Sequence, residues 1–336
     1  MSHTLIIAQA DVAELLVMDE CIELMAGTLQ ALAEGDAQQP LRNVMWLPSK
    51  TGLLGMMPSS LGTAGVMGVK VISVFPGNQD TPYDAHQGAV LLFETGQGRL
   101  LAVVDASEVT AIRTAAVSGV ATRRLSRSDA GDLAILGSGV QAGRHLEAML
   151  LARTIRRVRV WSRNPEHGRA FAERESKRHG IPVEPIETAR DAVADADLIC
   201  CVTASGEPVL CGEWIAEGAH INAVGSCTPA ARELDGSAVA GARLFVDRRE
   251  SVLNESGDFL LAREEGLVTD DHIQAELGEV LVGQHPGRGS HEETTLFKSL
   301  GLAVEDLACA DQVYRRAIES GVGTEVDLGG GRHAAD

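Results

Sequence analysis

The segment DLAILGSGVQA, residues 132–142, constrains the fold more than any other part of the chain. A short apolar run leads into a glycine-rich turn of the form GxGxxA, and helical spacing follows it. Gly137 permits a tight turn, Gly139 lets the backbone approach a pyrophosphate closely, and Ala142 is small enough for helix–strand packing. A helix that begins at such a turn presents free N–H groups and the positive end of its dipole to a phosphate. The segment therefore predicts the first strand, turn and helix of a dinucleotide-binding domain.

Apolar, strand-like runs alternate with helical segments downstream of this turn. The runs lie at residues 158–161, 183–186, 198–202, 220–224 and 244–246. This alternation is typical of a doubly wound parallel sheet with helices on both faces. The predicted fold class is therefore α/β, with a Rossmann domain.

The residues on either side of this region have a different pattern. A helix is predicted at residues 11–33, several short apolar strands follow it, and residues 294–321 are predicted to be a helix-rich return. We therefore expect a second, α+β domain made from residues 1–120 and 304–336. The Rossmann domain is expected at residues 121–303.

The formal net charge of −18 at pH 7 limits the possible partners. A surface this acidic repels phosphate backbones and anionic lipids, so we expect neither nucleic acid nor membrane as a partner. The first residues lack the basic and apolar regions of a signal peptide, and no run reaches the about 20 apolar residues of a membrane helix. The six cysteines form no CxxC pair and no histidine cluster has zinc spacing. We expect reduced thiols, no metal and a cytoplasmic location.

The end of the second Rossmann strand bears on which dinucleotide binds. An NAD site usually has an acidic residue there, which accepts from the ribose 2′-hydroxyl. This chain has Ser162, Arg163 and Asn164 instead. Arg163 is suited to pair with a 2′-phosphate, and its two neighbours can donate to it. We therefore expect NADPH, with NADH as the alternative if Arg163 is only a solvated surface residue.

Most of the further candidate cofactor residues follow a predicted strand or open the helix after the glycine-rich turn. The carboxyl ends of parallel strands line the ligand crevice of a doubly wound sheet. The candidates are Thr110, Val140, Gln141, Thr203, Ser205, Val224, Gly225 and Ser226. For the residues that follow a strand, an ordinary turn is the open alternative.

Three cationic residues stand out in the expected second domain, namely Arg42, Lys70 and Arg113. Lys70 lies within the apolar run GVMGVKVISVF, where a lysine is costly unless it is paired. Arg113 has small neighbours, which let a ligand approach closely. Together the three residues would suit a small carboxylate, for which arginine offers a bidentate fork. The alternative is that they form salt bridges with the abundant acidic residues.

Eight segments, in order and spanning nearly the whole chain, resemble the ornithine cyclodeaminase/mu-crystallin family. They are GVKVISVFPGN, HQGAVLLFETGQGRLLAVVDASEVTAIRTAAVSGVAT, LGSGVQA, VWSRNP, INAVGSCTPAARELD, QAELGEVLVG, PGR and TLFKSLGLAVEDLA. The combination is far more specific than any single glycine motif. The family includes ornithine and lysine cyclodeaminases, archaeal-type alanine dehydrogenases, ketimine reductases and mu-crystallin.

The resemblance implies roles for several residues. It implies a Rossmann domain plus a split substrate domain that forms a homodimer through its sheet. It implies that Arg42, Lys70 and Arg113 hold the substrate carboxylate and that Lys70 can donate a proton. It also implies that Gln87 lies near the substrate, at a position where some members have threonine.

Two positions depart from the family's cyclodeaminase pattern. Cyclodeaminases and the family's alanine dehydrogenases have an aspartate at the position of Cys227, and a thiol is a poor substitute for a carboxylate base. Cyclodeaminases also have a glutamate for the distal amine of ornithine in the region of Gly55. Both changes disfavour ornithine as a substrate, and neither hinders imine reduction.

The expected function is NAD(P)H-dependent reduction of pyrroline-2-carboxylate or piperideine-2-carboxylate to L-proline or L-pipecolate. The candidate catalytic residues are Lys70, Arg113 and Cys227, the last as a proton-exchange group. The alternatives are an ornithine cyclodeaminase, an alanine dehydrogenase-type enzyme and a mu-crystallin-like binding protein with little turnover. An open-chain imine is also a possible substrate.

Overall fold

The computed structural model describes residues 3–329, except for the side chains of residues 79 and 80. Its α-helices are α1 (Gln9–Leu15), α2 (Met18–Ala33), α3 (Ala106–Leu125), α4 (Val140–Ala152), α5 (Pro165–His179), α6 (Ala189–Val193), α7 (Gly236–Ala240), α8 (Arg249–Glu255), α9 (Gly257–Glu264), α10 (Leu277–Leu281) and α11 (Ala303–Ser320). Its strands are β1 (His3–Ile7), β2 (Ala37–Gln38), β3 (Asn43–Trp46), β4 (Leu53–Leu61), β5 (Val66–Val74), β6 (His86–Glu94), β7 (Leu100–Asp105), β8 (Asp132–Leu136), β9 (Arg157–Trp161), β10 (Val183–Ile186), β11 (Leu198–Cys201), β12 (His220–Ala223), β13 (Arg243–Val246), β14 (Ile273–Glu276), β15 (Thr295–Lys298) and β16 (Thr324–Asp327).

The chain divides into two compact units. Unit 1 comprises Met1–Arg113 and Leu302–Asp336, and unit 2 comprises Thr114–Gly301. Residues 1–2 and 330–336, which the sequence assigns to the second domain, lie outside the described residues. The first boundary between the units falls within α3.

Unit 2 is built on an eight-stranded sheet in the order β10-β9-β8-β11-β12-β15-β13-β14, and every strand pair in it is parallel. A parallel sheet is covered on both faces, so its strands are apolar runs rather than alternating ones. In β8, for example, Leu133, Ala134 and Ile135 are all fully buried. The strand order reverses direction at β8, which has β9 on one side and β11 on the other. This is a doubly wound sheet, and it confirms the predicted α/β class.

The stretch at 294–321, predicted to be helix-rich, contributes a strand to this sheet. Thr295–Lys298 forms β15 between β12 and β13, and helix α11 begins only at Ala303. The run TLFK is too short to distinguish a strand from a helix by its periodicity. Its place in the sheet depends on pairing with two strands that are distant in sequence, so the sequence-based prediction missed it.

Unit 1 contains a mixed eight-stranded sheet in the order β16-β1-β7-β6-β5-β4-β2, with β3 paired to β4. Side chains along each strand alternate between the two faces. Helix α11 packs on one face through β4, β5 and β6. On this face Met57, Lys70 and Val90 lie opposite one another in the three strands, and all are buried. The α+β character predicted for this part of the chain is confirmed.

The helix predicted at 11–33 is in fact two helices. Helix α1 ends at Leu15 and α2 begins at Met18. Between them Leu16 has a non-helical conformation and Val17 is 49% exposed. A single helix would leave Met18 off the apolar face, whereas the break lets α2 bury it. Tertiary packing has therefore overridden a continuous helical pattern.

No helix within residues 3–329 is long and apolar enough to cross a membrane.

Candidate active site

A buried cluster of charged side chains lies on the face of the unit 1 sheet that α11 covers. Nζ of Lys70 is 2.7 Å from Oδ2 of Asp306. Nε of Arg113 donates to Oδ1 of Asp306 at 3.0 Å, and Nη1 of Arg113 donates to Oε2 of Glu305 at 2.9 Å. Lys70 and Arg113 are 2% and 4% exposed, and both acids are fully buried. One carboxylate thus joins two of the three cations that the sequence singled out.

Each element presents its charged residue for a local reason. Strand β5 reads VMGVKVISV, in which valine and isoleucine favour a strand and the period of two turns Lys70 toward α11. Helix α3 surrounds Arg113 with small side chains that let other groups approach it. Glu305 and Asp306 lie in the first turn of α11, where the helix dipole favours negative charge. Two adjacent acids within an otherwise apolar helical segment were the one sequence feature that could have identified the partners of Lys70 and Arg113.

Burial and neighbouring charges shift the pKa values of the cations in this cluster. Burial lowers the pKa of Lys70 to about 8, Asp306 opposes this effect, and the charges of Arg113 and Arg42 add to it. Burial also disfavours the charged form of Arg113, but Asp306 and Glu305 outweigh it and raise the pKa of that guanidinium. Arg42 is half-buried in the segment between β2 and β3. The three cations lie close enough together for the charges of Arg113 and Arg42 to act on Lys70, and such a group suits a small anion such as a carboxylate.

His86 is a member of this cluster that the sequence reasoning missed. The register pairs His86 with Val74, which places it on the same sheet face as Lys70. Burial and, after it, the charge of Lys70 lower the pKa of His86 to about 4. The imidazole is therefore neutral at pH 7 and adds no charge to the site. Only the pairing of β5 with β6 brings it to the cluster, and no local pattern shows that register.

Two other candidate residues of unit 1, Thr110 and Gln87, differ in their position relative to this cluster. Thr110, predicted at the cofactor site, accepts a hydrogen bond from Nζ of Lys70 at 3.4 Å. Gln87 is one residue from His86 and so lies on the opposite sheet face, where it is exposed and donates to the carbonyl of Asp84 at 2.8 Å. The structure thus brings Thr110 to the cation cluster, and the role of Gln87 near a substrate stays a prediction.

The glycine-rich turn at the start of α4 has a geometry that fits a dinucleotide pyrophosphate. Gly137 has φ of +125°, and a Cβ there would lie 2.8 Å from the carbonyl oxygen of Val202. Gly139 is the N-cap of α4, and no atom of residues 3–329 outside its immediate neighbours comes within 4 Å of where its Cβ would be. Ala142 is fully buried against the sheet, as helix–strand packing requires. Gly139 and Val140 are exposed, so the first N–H groups of α4 can face a phosphate.

The residues after β9 are tied to this turn and to the next helix. Oγ of Ser138 donates to Oγ of Ser162 at 2.8 Å. Oδ1 of Asn164 accepts from the N–H of Glu166 at 2.9 Å and caps α5, so this side chain has a structural role of its own. Arg163 is exposed. The segment from Ser162 to Pro165 contains no acidic residue.

The loops after β11 and β12 meet at the same edge of the parallel sheet as Gly137. The two strands are direct neighbours. A Cβ on Gly225 would lie 1.9 Å from the carbonyl oxygen of Thr203, so the two loops touch and only glycine fits there. The N–H of Ser205 donates to Oγ1 of Thr203 at 3.1 Å, and Val224 and Ser226 are buried. The predicted residues of the nicotinamide half are thus close together.

Cys227 follows these loops and is half-buried. Its Sγ donates to the carbonyl oxygen of Val224 at 3.5 Å. All six cysteines are free thiols. Within residues 3–329 no group of histidine, cysteine, aspartate and glutamate side chains is arranged to hold a metal ion. A part for Cys227 in proton exchange stays a prediction.

The chain thus has a glycine-rich turn before a helix in one unit and a cluster of buried cations in the other, and its sequence and structure can be compared with known proteins. The model of the ornithine cyclodeaminase/mu-crystallin family matches residues 2–321. The chain belongs to this family. The resemblance carried by the eight sequence segments is thereby confirmed.

Three relatives show what members of the family do. Ketimine reductase mu-crystallin of Mus musculus is 43% identical over 281 residues, which cover 84% of this chain and 86% of that protein. The structure of Thermococcus litoralis Δ1-pyrroline-2-carboxylate reductase in complex with NADH and L-proline has 40% identity and a TM-score of 0.94, and the match covers 96% of this chain and 100% of that one. An archaeal alanine dehydrogenase dimer with bound NAD has 32% identity and a TM-score of 0.92, with 97% and 99% covered. These relatives are thus imine reductases or dehydrogenases. Two of them are seen with bound NADH or NAD, which supports a nicotinamide dinucleotide as the cofactor of this chain.

Proposed function

We propose that this chain is an NAD(P)H-dependent reductase of small cyclic imino acids. It would convert pyrroline-2-carboxylate or piperideine-2-carboxylate to L-proline or L-pipecolate. The observation that carries the proposal is the cluster of Arg42, Lys70 and Arg113, which groups guanidinium donors around a buried lysine with a pKa of about 8. An imino acid needs both features, because its carboxylate must be held and its nitrogen must receive a proton. The relative that holds L-proline and NADH supports the same substrate class.

Arg42 and Arg113 are the residues that we assign to the substrate carboxylate. A guanidinium group binds a carboxylate through directed N–H donors and keeps its charge at any physiological pH. Asp306 and Glu305 hold Nε and Nη1 of Arg113, and its Nη2 has no hydrogen-bond partner among residues 3–329. The acids therefore fix the guanidinium plane and leave the N–H groups of Nη2 for a ligand.

Lys70 is the residue that we assign to proton delivery. A pKa of about 8 keeps most of its ammonium groups charged at pH 7, yet the proton leaves more readily than from an ordinary lysine. Asp306 orients Nζ through a contact of 2.7 Å. A bound nicotinamide dinucleotide supplies the hydride to the imine carbon. With the proton on nitrogen, the C=N bond becomes the C–N bond of the amino acid.

The surroundings of the cluster disfavour a substrate with a second amine. A distal ammonium group in a buried site needs a carboxylate partner. Strand β4 contains no acidic residue, and a Cβ on Gly55 would lie 3.2 Å from Cγ1 of Ile72, so the sheet beside Lys70 is apolar. Asp306 and Glu305 already pair with the cations. An apolar ring therefore fits this face better than ornithine.

We further propose NADPH as the preferred cofactor. The support is the run Ser162, Arg163 and Asn164 after β9, where a guanidinium stands in place of the acid that would accept from a ribose 2′-hydroxyl. A 2′-phosphate would gain a charge-assisted contact with Arg163. NADH is the alternative, since the Thermococcus litoralis relative holds NADH.

We also propose that the chain forms a homodimer through the unit 1 sheet. On the face opposite α11, Met67 is 38% exposed, and Val69 and Leu91 are half-exposed neighbours in adjacent strands. An apolar sheet face of this kind favours association, and a second copy can cover it by two-fold symmetry. The archaeal alanine dehydrogenase relative is a dimer.

The proposed reaction is tested by following NADPH oxidation with each cyclic imino acid, with NADH run alongside. We expect turnover with at least one ring and a higher rate with NADPH. Lys70→Ala and Arg113→Ala should each lower kcat/KM by about 100-fold or more, because each removes an interaction with the reacting acid. Arg163→Ala should reduce the NADPH preference. Arg159→Met is the control, since it removes a different buried arginine, paired with Asp132 at 2.6 Å in unit 2.

The other outcomes each point to a different member of the family. Oxidation with neither ring would contradict the proposal. Ammonia release from ornithine would then indicate a cyclodeaminase, and oxidation of alanine would indicate an amino acid dehydrogenase. Binding of NADPH with no turnover of any of these substrates would indicate a binding protein.

A further inference from the structure

One buried carboxylate joins the two loops that follow β11 and β12. Oε1 of Glu233 accepts from the N–H of Thr203 at 2.6 Å and from its hydroxyl at 2.7 Å. Oε2 of Glu233 accepts from the N–H of Gly225 at 2.6 Å. Glu233 is fully buried and lies near the far end of the loop after β12, shortly before α7. Its two oxygens therefore bridge the carboxyl ends of two neighbouring parallel strands.

An ion pair between Asp258 and Lys298 also holds Glu233 and the loop after β12. Oδ1 of Asp258 accepts from the N–H groups of Glu233 and Leu234 at 2.8 and 3.0 Å. Nζ of Lys298 contacts Oδ2 of Asp258 at 2.8 Å and donates to the carbonyl oxygen of Ser226 at 2.7 Å. Asp258 and Lys298 are 2% and 1% exposed. Residues from α9 and β15 thus complete a network that contacts both ends of the loop after β12.

Such a network is expensive to maintain. Two carboxylates and one ammonium group are removed from water, and burial raises the pKa of Glu233 to about 7 although Lys298 opposes the shift. Apolar side chains could fill this space without that cost, so stability alone does not account for it. The charged groups form directional hydrogen bonds that hold backbone N–H and C=O groups in defined positions, which apolar contacts cannot do. The groups held in this way are those of Thr203, Gly225 and Ser226.

We propose that Glu233 is a positioning residue for the nicotinamide half of the dinucleotide, and that it acts by holding the loops after β11 and β12 together. Strand β11 pairs with β8, where the strand order reverses, and β12 is the next strand beyond β11. Ligands of doubly wound sheets bind at the carboxyl ends of strands at such a point. Asp258 and Lys298 support Glu233 in this role. The inference rests on the proposed function, since it assumes that the dinucleotide binds at this edge of the sheet.

The test compares Glu233→Gln with a matched variant, Asp197→Asn, in the full chain. Asp197 also accepts from two backbone N–H groups, those of Gly131 and Asp132 at 2.8 and 3.0 Å, but it lies before β11, at the opposite end of that strand. Both variants should lower the melting temperature. The Kd for NADPH, measured by fluorescence titration without substrate, should rise about tenfold in Glu233→Gln, because the amide NH₂ faces a backbone donor. It should stay at the wild-type value in Asp197→Asn.

Several results would overturn the proposal. One is an unchanged Kd in Glu233→Gln, and another is an equal rise in Asp197→Asn, which would show a purely structural effect. If Glu233→Gln does not fold, Glu233→Asp keeps the charge but is too short to reach both Thr203 and Gly225, and a wild-type Kd in that variant would contradict the bridge. A wild-type chain that binds neither NADPH nor NADH would also overturn it. A wild-type chain that binds NADPH but reduces no imino acid would contradict the proposed function and leave the Glu233 comparison valid.

Discussion

Lys70 lies in the middle of an apolar strand, and the way its charge is accommodated determines its chemistry. Burying an ammonium group is unfavourable unless a carboxylate compensates for the lost hydration. Asp306 provides that partner at 2.7 Å, yet burial and the two nearby guanidinium groups lower the pKa of Lys70 from 10.5 to about 8. A group with this pKa can hold a proton at neutral pH and also release it.

The lowered pKa of Lys70 predicts how kcat/KM and stability depend on pH. Because Lys70 loses its proton above about pH 8, kcat/KM for imine reduction should fall above that pH. The unfolded chain keeps this proton up to the ordinary lysine pKa, so between about pH 8 and 10.5 the contribution of Lys70 to the free energy of unfolding should rise with pH. The activity loss would then not be due to unfolding. Lys70→Arg should show a low rate without this alkaline decline, since arginine stays protonated. A decline that persists in the variant would belong to the substrate and would contradict the assignment.

At the scale of elements, the turn between β8 and α4 contains two glycines that are needed for different reasons. Gly137 has a positive φ and no room for a Cβ, so it is required by the fold. Gly139 has φ of −84° and open space beside it, so any residue could adopt its conformation. Its lack of a side chain matters only if a ligand comes close to the backbone.

These two glycines lead to a paired prediction. Gly137→Ala should lower the free energy of unfolding by about 1–3 kcal/mol, because alanine disfavours this backbone conformation and would contact Val202. Gly139→Ala should leave stability nearly unchanged and raise the Kd for NADPH about tenfold or more, since the methyl group would occupy the space of the pyrophosphate. Denaturant unfolding and fluorescence titration of both variants provide the check. Normal NADPH binding by Gly139→Ala would place the pyrophosphate elsewhere.

At the scale of the whole molecule, the half-exposed face of the unit 1 sheet makes a prediction about assembly. Val69 lies on that face between Met67 and Leu91, away from the cation cluster. Val69→Asp should convert a dimer to a monomer, because a two-fold interface would contain the buried charge twice. Light scattering coupled to size-exclusion chromatography measures the mass. Leu267→Asp, at an apolar position that is 51% exposed in unit 2, is the control and should leave the mass unchanged. A wild-type monomer would contradict the homodimer proposal.

Much of unit 2 and some of the site could be predicted because the signals are local. The order of strand, GxGxxA turn and helix, and the alternation after it, depend on spacings of a few residues, and backbone geometry enforces them. Lys70 could be singled out because a charge in an apolar strand is unusual wherever that strand lies. The absence of an acidic residue directly after β9 is likewise apparent from the sequence alone.

The sequence alone therefore predicts the doubly wound sheet, the glycine-rich turn and cations that need partners. The identity of those partners depends on the tertiary structure. Arg113 and Asp306 are 193 residues apart, and His86 reaches the cluster through the register of β5 with β6. The bridge from Glu233 to Thr203 and Gly225, the insertion of β15 into the parallel sheet and the break between α1 and α2 have the same origin. Each depends on which distant segments pack together, because burial and pairing between them outweigh the local preferences of a short run of residues.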